Sequence, residues 1–150
     1  MNSQQIVEKW IGQIIESHAE ASAALRAAAP DPFRNPVGHT IRRSLAKLWE
    51  QLQGDMDPDA IDSALDAVIR IRAVQDMPLS EAVGFPIQLR SILREEPAGF
   101  DLVLLEKRID ELALAASNKY MKCREQVLAA RLHEKERLTR AHRVGGKAGV

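Results

Sequence analysis

The sequence has one cysteine, few aromatic residues and no long apolar run, and each shortage excludes a class of protein. Cys123 is the only thiol in 150 residues, which excludes an internal disulfide framework and a multi-thiolate zinc site. No window reaches the roughly 18 consecutive apolar residues that a membrane-spanning helix needs, so we expect no membrane span. Glu8 and Lys9 interrupt the apolar N-terminal stretch, which argues against a signal peptide and indicates a cytoplasmic protein.

The composition favours helix over sheet. Aromatic residues make up 4% of the chain, whereas apolar residues reach 45% and charged residues 28%. Ala and Leu are abundant, and both are strong helix formers. No segment alternates apolar and polar residues for long enough to predict a strand. We therefore predict an all-α fold, a single helical bundle of about five helices with a long C-terminal helix.

Apolar residues at three- and four-residue steps place the helices along the chain. The predicted helices run from about Gln4 to Ala28, His39 to Gln53, Pro58 to Asp76, Pro78 to about Glu96, and Asp101 to beyond Arg140. Between the first two helices, we expect the prolines and glycine to form an extended or turning connection: Pro30, Pro32, Pro36 and Gly38. Pro86 lies inside the fourth predicted helix, so we expect a kink or break before it.

Positive and negative charges cancel over the whole chain but not within its parts. Residues 1–118 hold 12 Lys/Arg and 18 Asp/Glu, a net charge of −6. Residues 119–150 hold 9 Lys/Arg and 3 Glu, a net charge of +6. We therefore divide the chain into a helical sensor or regulatory domain, residues 1–118, and a basic C-terminal helix extension with a flexible tail, residues 119–150.

Two stretches carry a resemblance to a known family. The first is Asn35-Pro36-Val37-Gly38-His39-Thr40-Ile41, followed by Leu45 and Leu48. The second is Ile69-Arg70-Ile71-Arg72-Ala73-Val74-Gln75-Asp76, followed by Pro78, Ser80, Glu81, Ala82, Val83, Phe85 and Leu89. Over roughly Ile6 to Leu114, the chain resembles the RsbRD N-terminal domain family of RsbT co-antagonist proteins in bacterial stress signalling.

The resemblance implies a non-enzymatic sensory domain, similar to the globin-like, haem-free input domains of stressosome proteins. Such domains pair through their helices, and a C-terminal helix joins them to an output domain. The resemblance therefore implies a homodimer and a separate signalling protein as partner. This sequence departs from the family pattern in that no output domain follows, so we expect it to act as a stand-alone regulatory domain. We predict that it relays a signal to that partner through its last helix.

The last helix carries an apolar series that suits helix pairing. Its members are mostly three or four residues apart, and an eleven-residue spacing gives a straight or slightly right-handed seam. We predict that dimer pairing uses Leu105, Ile109, Leu112, Ala116 and Tyr120.

The candidate ligand-binding residues come from the two stretches that carry the resemblance. Arg72 continues the apolar stripe of the third helix, and a desolvated guanidinium requires a partner. It is either an anion- or ligand-sensing residue together with Gln75, or half of a structural ion pair with Asp76 at i+4. Asn35 and His39 either face a ligand or form the turn that orients the second helix.

The basic extension supplies the candidate partner-binding residues: Lys119, Lys122, Arg124, Arg131, Lys135 and Arg137. These side chains could dock on an acidic partner, or they could form a solvated helix end where positive charge is favoured. Contact with nucleic-acid phosphates is the alternative function, although no aromatic residue is interspersed after Tyr120.

The sequence contains little evidence for a cofactor site or for enzymatic activity. The four histidines are His18, His39, His133 and His142, and no two have a metal-binding spacing. A haem or small-molecule sensor is a further alternative function, and a haem sensor would need a proximal histidine that faces a large apolar pocket. The lone cysteine has no neighbouring histidine to activate it. We therefore expect no cofactor, no metal and no catalytic residue.

Overall fold

A computed structural model describes residues 2–17, 36–95 and 99–148 of the chain. Within these ranges all regular structure is α-helical, as the sequence predicts. The helices are α1 (Ser3–Ser17), α2 (Pro36–Gln53), α3 (Pro58–Val74), α4 (Leu79–Val83), α5 (Phe85–Glu95) and α6 (Leu102–Ala148). The predicted continuation of the first helix to Ala28 lies outside the described residues.

α2 and α3 form a helical hairpin whose turn is fixed by local polar contacts. The Asp57 carboxylate accepts a hydrogen bond from the Asp59 amide at 3.2 Å, and Pro58 takes the first helical position. The Gln51 side chain accepts from the Asp57 amide at 2.8 Å. The predicted start of α3 is therefore confirmed.

The start of α2 corrects the predicted connection. Pro36 begins the helix instead of breaking the chain, and Gly38 is buried within the first turn. Proline suits this position because the first residues of a helix need no intrahelical N–H donor. The pattern of apolar residues alone placed the start three residues too late.

The fourth predicted helix is divided into α4 and α5 at Gly84. A Cβ atom at this position would lie 2.7 Å from the Ser80 carbonyl oxygen in the preceding turn, so the tight end of α4 requires glycine. Pro86 is buried in the first turn of α5, where its missing N–H costs nothing. The break expected before Pro86 is confirmed.

One hydrophobic core joins all six described helices. Its largest fully buried side chains are Trp10 from α1, Trp49 from α2 and Phe85 from α5. α6 packs against α2, α3, α4 and α5, so the long helix is one wall of the bundle. None of the described helices combines the length and the apolar character that a membrane span requires.

Candidate functional site on the long helix

α6 is one continuous helix that contains two unlike segments. We call residues 102–131 the anchored segment, since their contacts with the bundle hold the helix in place, and residues 132–148 the projecting segment. Residues 132–144 are all exposed. At about 1.5 Å per residue, the projecting segment is about 25 Å long. No structural break occurs at residue 118, where the charge pattern suggested a boundary.

The core-facing side of the anchored segment is the apolar series that the sequence assigned to dimer pairing. Leu105, Ile109, Leu112, Ala116 and Tyr120 are all at most 6% exposed, and Cys123 extends the series. They belong to the core of their own chain. Their burial within one chain corrects the expected seam, because side chains that fill a core are not available to a second copy.

Two arginines of α6 bind the end of α3. Arg124 donates from Nη1 to the Asp76 carboxylate at 2.5 Å and to the Ala73 carbonyl at 2.6 Å. Arg131 donates to the same carboxylate at 2.9 Å and to the Val74 carbonyl at 3.2 Å. Positive side chains at a helix C-terminus complete its unpaired carbonyls and oppose its negative dipole end. These contacts fasten α6 to the junction between α3 and α4.

Asp76 is the acceptor at the centre of this junction. Its backbone is left-handed, with a φ of 59°, and this conformation turns the chain from α3 towards Pro78. Hydrogen bonds from Arg131 and Arg124 lower the pKa of the carboxyl group below its ordinary value. The Tyr120 hydroxyl donates to the Met77 carbonyl next to it. The junction is therefore held by three side chains of one helix.

A second set of charges joins α6 to the middle of α3. Lys119 lies 2.8 Å from the Asp62 carboxylate and 3.6 Å from that of Asp66. Arg70 donates to Asp66 at 2.8 Å and to the Gln126 side chain at 3.1 Å. The hydrogen bond from Arg70 and the charges of Arg70 and Lys119 lower the pKa of Asp66. The acidic body thus uses part of the positive charge of the basic extension.

Arg72 has different partners from those that the sequence suggested. It is 3% exposed, and its Nη1 donates to the carbonyls of Glu81 at 2.8 Å and Ala82 at 3.0 Å, in α4. Its guanidinium carbon lies 5.3 Å from the centre of the Phe85 ring. Burial lowers the pKa of Arg72 to about 10. The structural interpretation of Arg72 is therefore supported, but the expected pair with Asp76 is wrong, because α6 provides the partners of Asp76.

The remaining predicted ligand residues do not join Arg72 in one pocket. Gln75 is exposed and serves as the cap residue after α3. His39 is partly buried in the first turn of α2. Asn35 lies outside the described residues.

The predicted partner-binding residues divide between the two segments. Lys119, Arg124 and Arg131 contact the bundle, whereas Lys122, Lys135 and Arg137 are exposed. Arg137 pairs with Glu134 one turn earlier at 2.7 Å. Of the six residues that the charge pattern assigned to partner binding, only Lys122, Lys135 and Arg137 therefore remain candidates for docking.

Sequence reasoning missed two anchors of the bundle. Arg70 forms the i,i+4 pair with Asp66, a spacing that is visible in the sequence. Arg108 donates from Nη1 to the carbonyls of Leu52 at 2.7 Å and Gly54 at 2.9 Å, which closes the end of α2. No sequence signal pairs Arg108 with residues more than fifty positions away.

A second apolar series runs along α6 on the side away from the core. Its members are 52–84% exposed, and successive spacings of eleven, seven, seven and four residues place them on one face. With about 100° of rotation per residue, these positions lie within about 40° of one another around the helix axis. We call this series the outward face: Val103, Leu114, Met121, Leu128 and Leu132.

The described residues offer little for catalysis or metal binding. Cys123 is 1% exposed, and burial raises the pKa of its thiol, which opposes formation of the nucleophilic thiolate. In residues 2–17, 36–95 and 99–148, no group of three His, Cys, Asp or Glu side chains could hold a metal ion. His133 and His142 are exposed on the projecting segment.

The fold defines an all-α helical bundle with one long helix, and sequence comparison gives its family. The profile of the RsbT co-antagonist protein rsbRD N-terminal domain matches residues 4–135. The chain belongs to this family, and the match extends beyond the resemblance seen in the sequence to include the anchored segment. No curated protein and no solved structure matches the chain. The family indicates a regulatory domain of the stressosome type.

Proposed function

We propose that this chain is a non-enzymatic signal-sensing domain that pairs with a second copy of itself through the outward face of α6. The domain passes its signal to a separate signalling protein through the projecting segment. Membership of a regulatory family supports the general role. The observation that carries the proposal is the second apolar series, which has no partner within the described chain.

The outward face has the geometry of a helix-pairing surface. Single exposed apolar residues are common, but an aligned apolar patch is typical of an interaction site. Leu114, Met121 and Leu128 follow at seven-residue intervals, the repeat with which helices pair along a seam. The series from Val103 to Leu132 spans about 43 Å at 1.5 Å per residue. A second copy of α6 provides an apolar surface of the same length and spacing.

The anchors explain how a signal in the bundle reaches the projecting segment. Arg124 and Arg131 bind Asp76 and the end of α3, while Arg72 binds the carbonyls of α4 across the same junction. A change in the position of α3 or α4 therefore displaces α6 as a rigid rod. Because the projecting segment continues the same helix, its position relative to the second copy changes as well.

The exposed charge of the projecting segment favours an acidic protein surface as its partner. Lys135, Arg140 and Arg143 are exposed there. The use of Lys119, Arg124 and Arg131 within the bundle weakens the nucleic-acid alternative, because these residues are not available to bind phosphates.

Light scattering after size-exclusion chromatography tests the pairing. The double variant Met121→Glu, Leu128→Glu should convert a dimer into a monomer because it places four carboxylates in the paired face. The matched control is Leu138→Glu, Val144→Glu, which adds the same charge at positions 59% and 69% exposed and outside the outward face. The control should remain a dimer. A monomeric parent chain, or a double variant that stays dimeric, would contradict the proposal.

A further inference from the structure

An apolar cleft lies between α1 and α2, on a part of the bundle that the predicted site residues do not include. Its volume is about 550 Å³, within the range of small-molecule sites. Val7 and Ile11 of α1 line one side, and Ala46 and Trp49 of α2 line the other. Ser3 donates from Oγ to the Gln53 side chain at 3.2 Å and bridges the two helices at the cleft. The lining is mainly hydrocarbon.

Two residues that line this cleft each have a buried donor without a hydrogen-bond partner in the described structure; a third such donor, the Nε–H of Arg90, lies outside the cleft. The two donors at the cleft are the Nε1–H of Trp49, a side chain 98% buried, and the Nε–H of Arg42. Leaving a buried donor unpaired typically costs about 1–3 kcal/mol. The other tryptophan shows the usual arrangement, since Trp10 donates from Nε1 to the Phe85 carbonyl at 2.7 Å. The unpaired donor of Trp49 therefore differs from that of Trp10, and a bound acceptor would satisfy it.

The two donors are arranged along one side of α2. Trp49 follows Arg42 by seven residues, which is about two helical turns and about 10 Å along the axis. Residues at this spacing lie on the same helix face, and both belong to the lining of the one cleft. An elongated molecule with an acceptor oxygen at one or both ends matches this arrangement.

The charges at the cleft argue against an anionic ligand. Arg42 is already paired, because its Nη1 donates to the Glu8 carboxylate oxygens at 2.9 and 3.1 Å. Glu50 also lines the cleft and is exposed. The Lys47 ammonium in turn lies 3.7 Å from the Glu50 carboxylate, so each of these two cations already has a carboxylate partner and is poorly placed to bind a carboxylate or phosphate.

We propose that the cleft between α1 and α2 binds a neutral, largely apolar small molecule whose carbonyl oxygens accept from Trp49 and Arg42. Its apolar body packs on Val7, Ile11 and Ala46. This proposal extends the proposed function by giving the sensor domain a class of stimulus, and it rests on that function only for the biological role. Binding itself does not depend on whether the chain forms a dimer.

Prodan, a neutral naphthyl ketone whose emission shifts to the blue in apolar surroundings, is a suitable probe of the full chain. The parent chain should give a saturable blue shift. Ala46→Trp fills the cleft from an exposed position and should abolish saturable binding, whereas Ala129→Trp adds the same side chain at an exposed position of α6 and should not. Absence of saturable binding to the parent chain, or equal binding by both alanine variants, would overturn the proposal.

Trp49→Phe tests the contribution of the Trp49 N–H donor to binding separately from that of the cleft volume. It keeps an aromatic ring but removes the N–H, so prodan affinity should fall about fivefold, as expected for one neutral hydrogen bond. The melting temperature without ligand should fall, because the smaller ring leaves a cavity in the core, but by less than in Trp10→Phe, where a hydrogen bond is lost as well. Trp10→Phe should lower the melting temperature, because it removes the bond to Phe85. Unchanged prodan affinity in Trp49→Phe would contradict the assigned role of this donor.

An anionic probe tests the charge argument. Anilinonaphthalene sulfonate has a similar aromatic body but carries a negative charge, so it should bind the cleft more weakly than prodan. Tighter binding of the sulfonate that Ala46→Trp removes would show that the site takes anions, and the proposed ligand class would be wrong. A monomeric chain that still binds prodan would overturn the pairing alone.

Discussion

The anchored and projecting segments of α6 belong to one helix but are stabilised in different ways. The anchored segment has a buried apolar side, and three of its side chains bind the junction between α3 and α4. The projecting segment has only exposed side chains up to residue 144, and its described polar contacts are local ones such as Arg137 with Glu134. Helix continuity, rather than packing, therefore extends the ordered structure from the bundle to the region beyond it.

The largest expected effect comes from core truncation in the anchored segment. Ile109 is fully buried, so Ile109→Ala should lower the free energy of unfolding by about 2–5 kcal/mol. The matched change Leu132→Ala, at the border of the two segments, removes a side chain 58% exposed and should change stability by less than about 0.5 kcal/mol in the monomer. Urea unfolding at low protein concentration measures both. Equal losses of unfolding free energy in the two variants would contradict the division of α6 into an anchored and a projecting segment.

Loss of the Arg72 anchor should have the next largest effect. Arg72→Met keeps much of the buried side-chain volume but leaves the carbonyls of Glu81 and Ala82 without their donor. We expect a loss of about 2–3 kcal/mol in unfolding free energy. Arg137→Met in the projecting segment should have almost no effect, because surface ion pairs contribute little. An unchanged melting temperature in Arg72→Met would show that these buried bonds are not structural anchors.

The smallest expected effect concerns the charge of Asp76. Its pKa is lowered in the folded chain by Arg131 and Arg124, so the stabilisation is complete above its ordinary value of 3.8. It is lost as the pH falls through the lower, folded-state value. Asp76→Asn retains the left-handed backbone, which asparagine tolerates, but removes the charge.

Hydrogen exchange of residues 124–131 measures the effect of this substitution. Exchange should be faster in Asp76→Asn than in the parent chain at neutral pH, and the two should converge only in acid below the lowered, folded-state pKa of Asp76. Glu134→Gln is the control in the projecting segment and should leave residues 124–131 unchanged. A difference between parent and Asp76→Asn that persists in strong acid would show that charge is not the cause.

Local signals in the sequence predicted the helices well. Asp57 with Pro58 and Asp101 mark real helix starts, and Pro86 marks a real break. These features act within one or two turns of the chain, so neighbouring residues contain the required information. The start of α2 at Pro36 shows the limit, since the same residue type can interrupt one helix or begin another.

The candidate site on α6 is formed by contacts between residues that lie far apart in the sequence. Local sequence patterns do not reveal such contacts. The series from Leu105 to Tyr120 indicated a buried face, but the periodicity could not say whether the same chain or a second copy buries it. Arg124 and Arg131 were predicted to bind a partner, whereas the left-handed turn at Asp76 brings them an acceptor within the chain. The seven-residue repeat of the outward face was visible in the sequence, but the stronger series on the opposite side obscured it.

The most direct test of the account is the distance between the two copies of α6 in solution. A spin label attached at Glu125→Cys, an exposed position beside the outward face, reports this distance by double electron–electron resonance. Paired helices with axes about 8–10 Å apart should give a narrow distribution between labels centred at about 15–30 Å. A signal without dipolar coupling between chains, at concentrations where the parent is expected to be dimeric, would contradict pairing through α6.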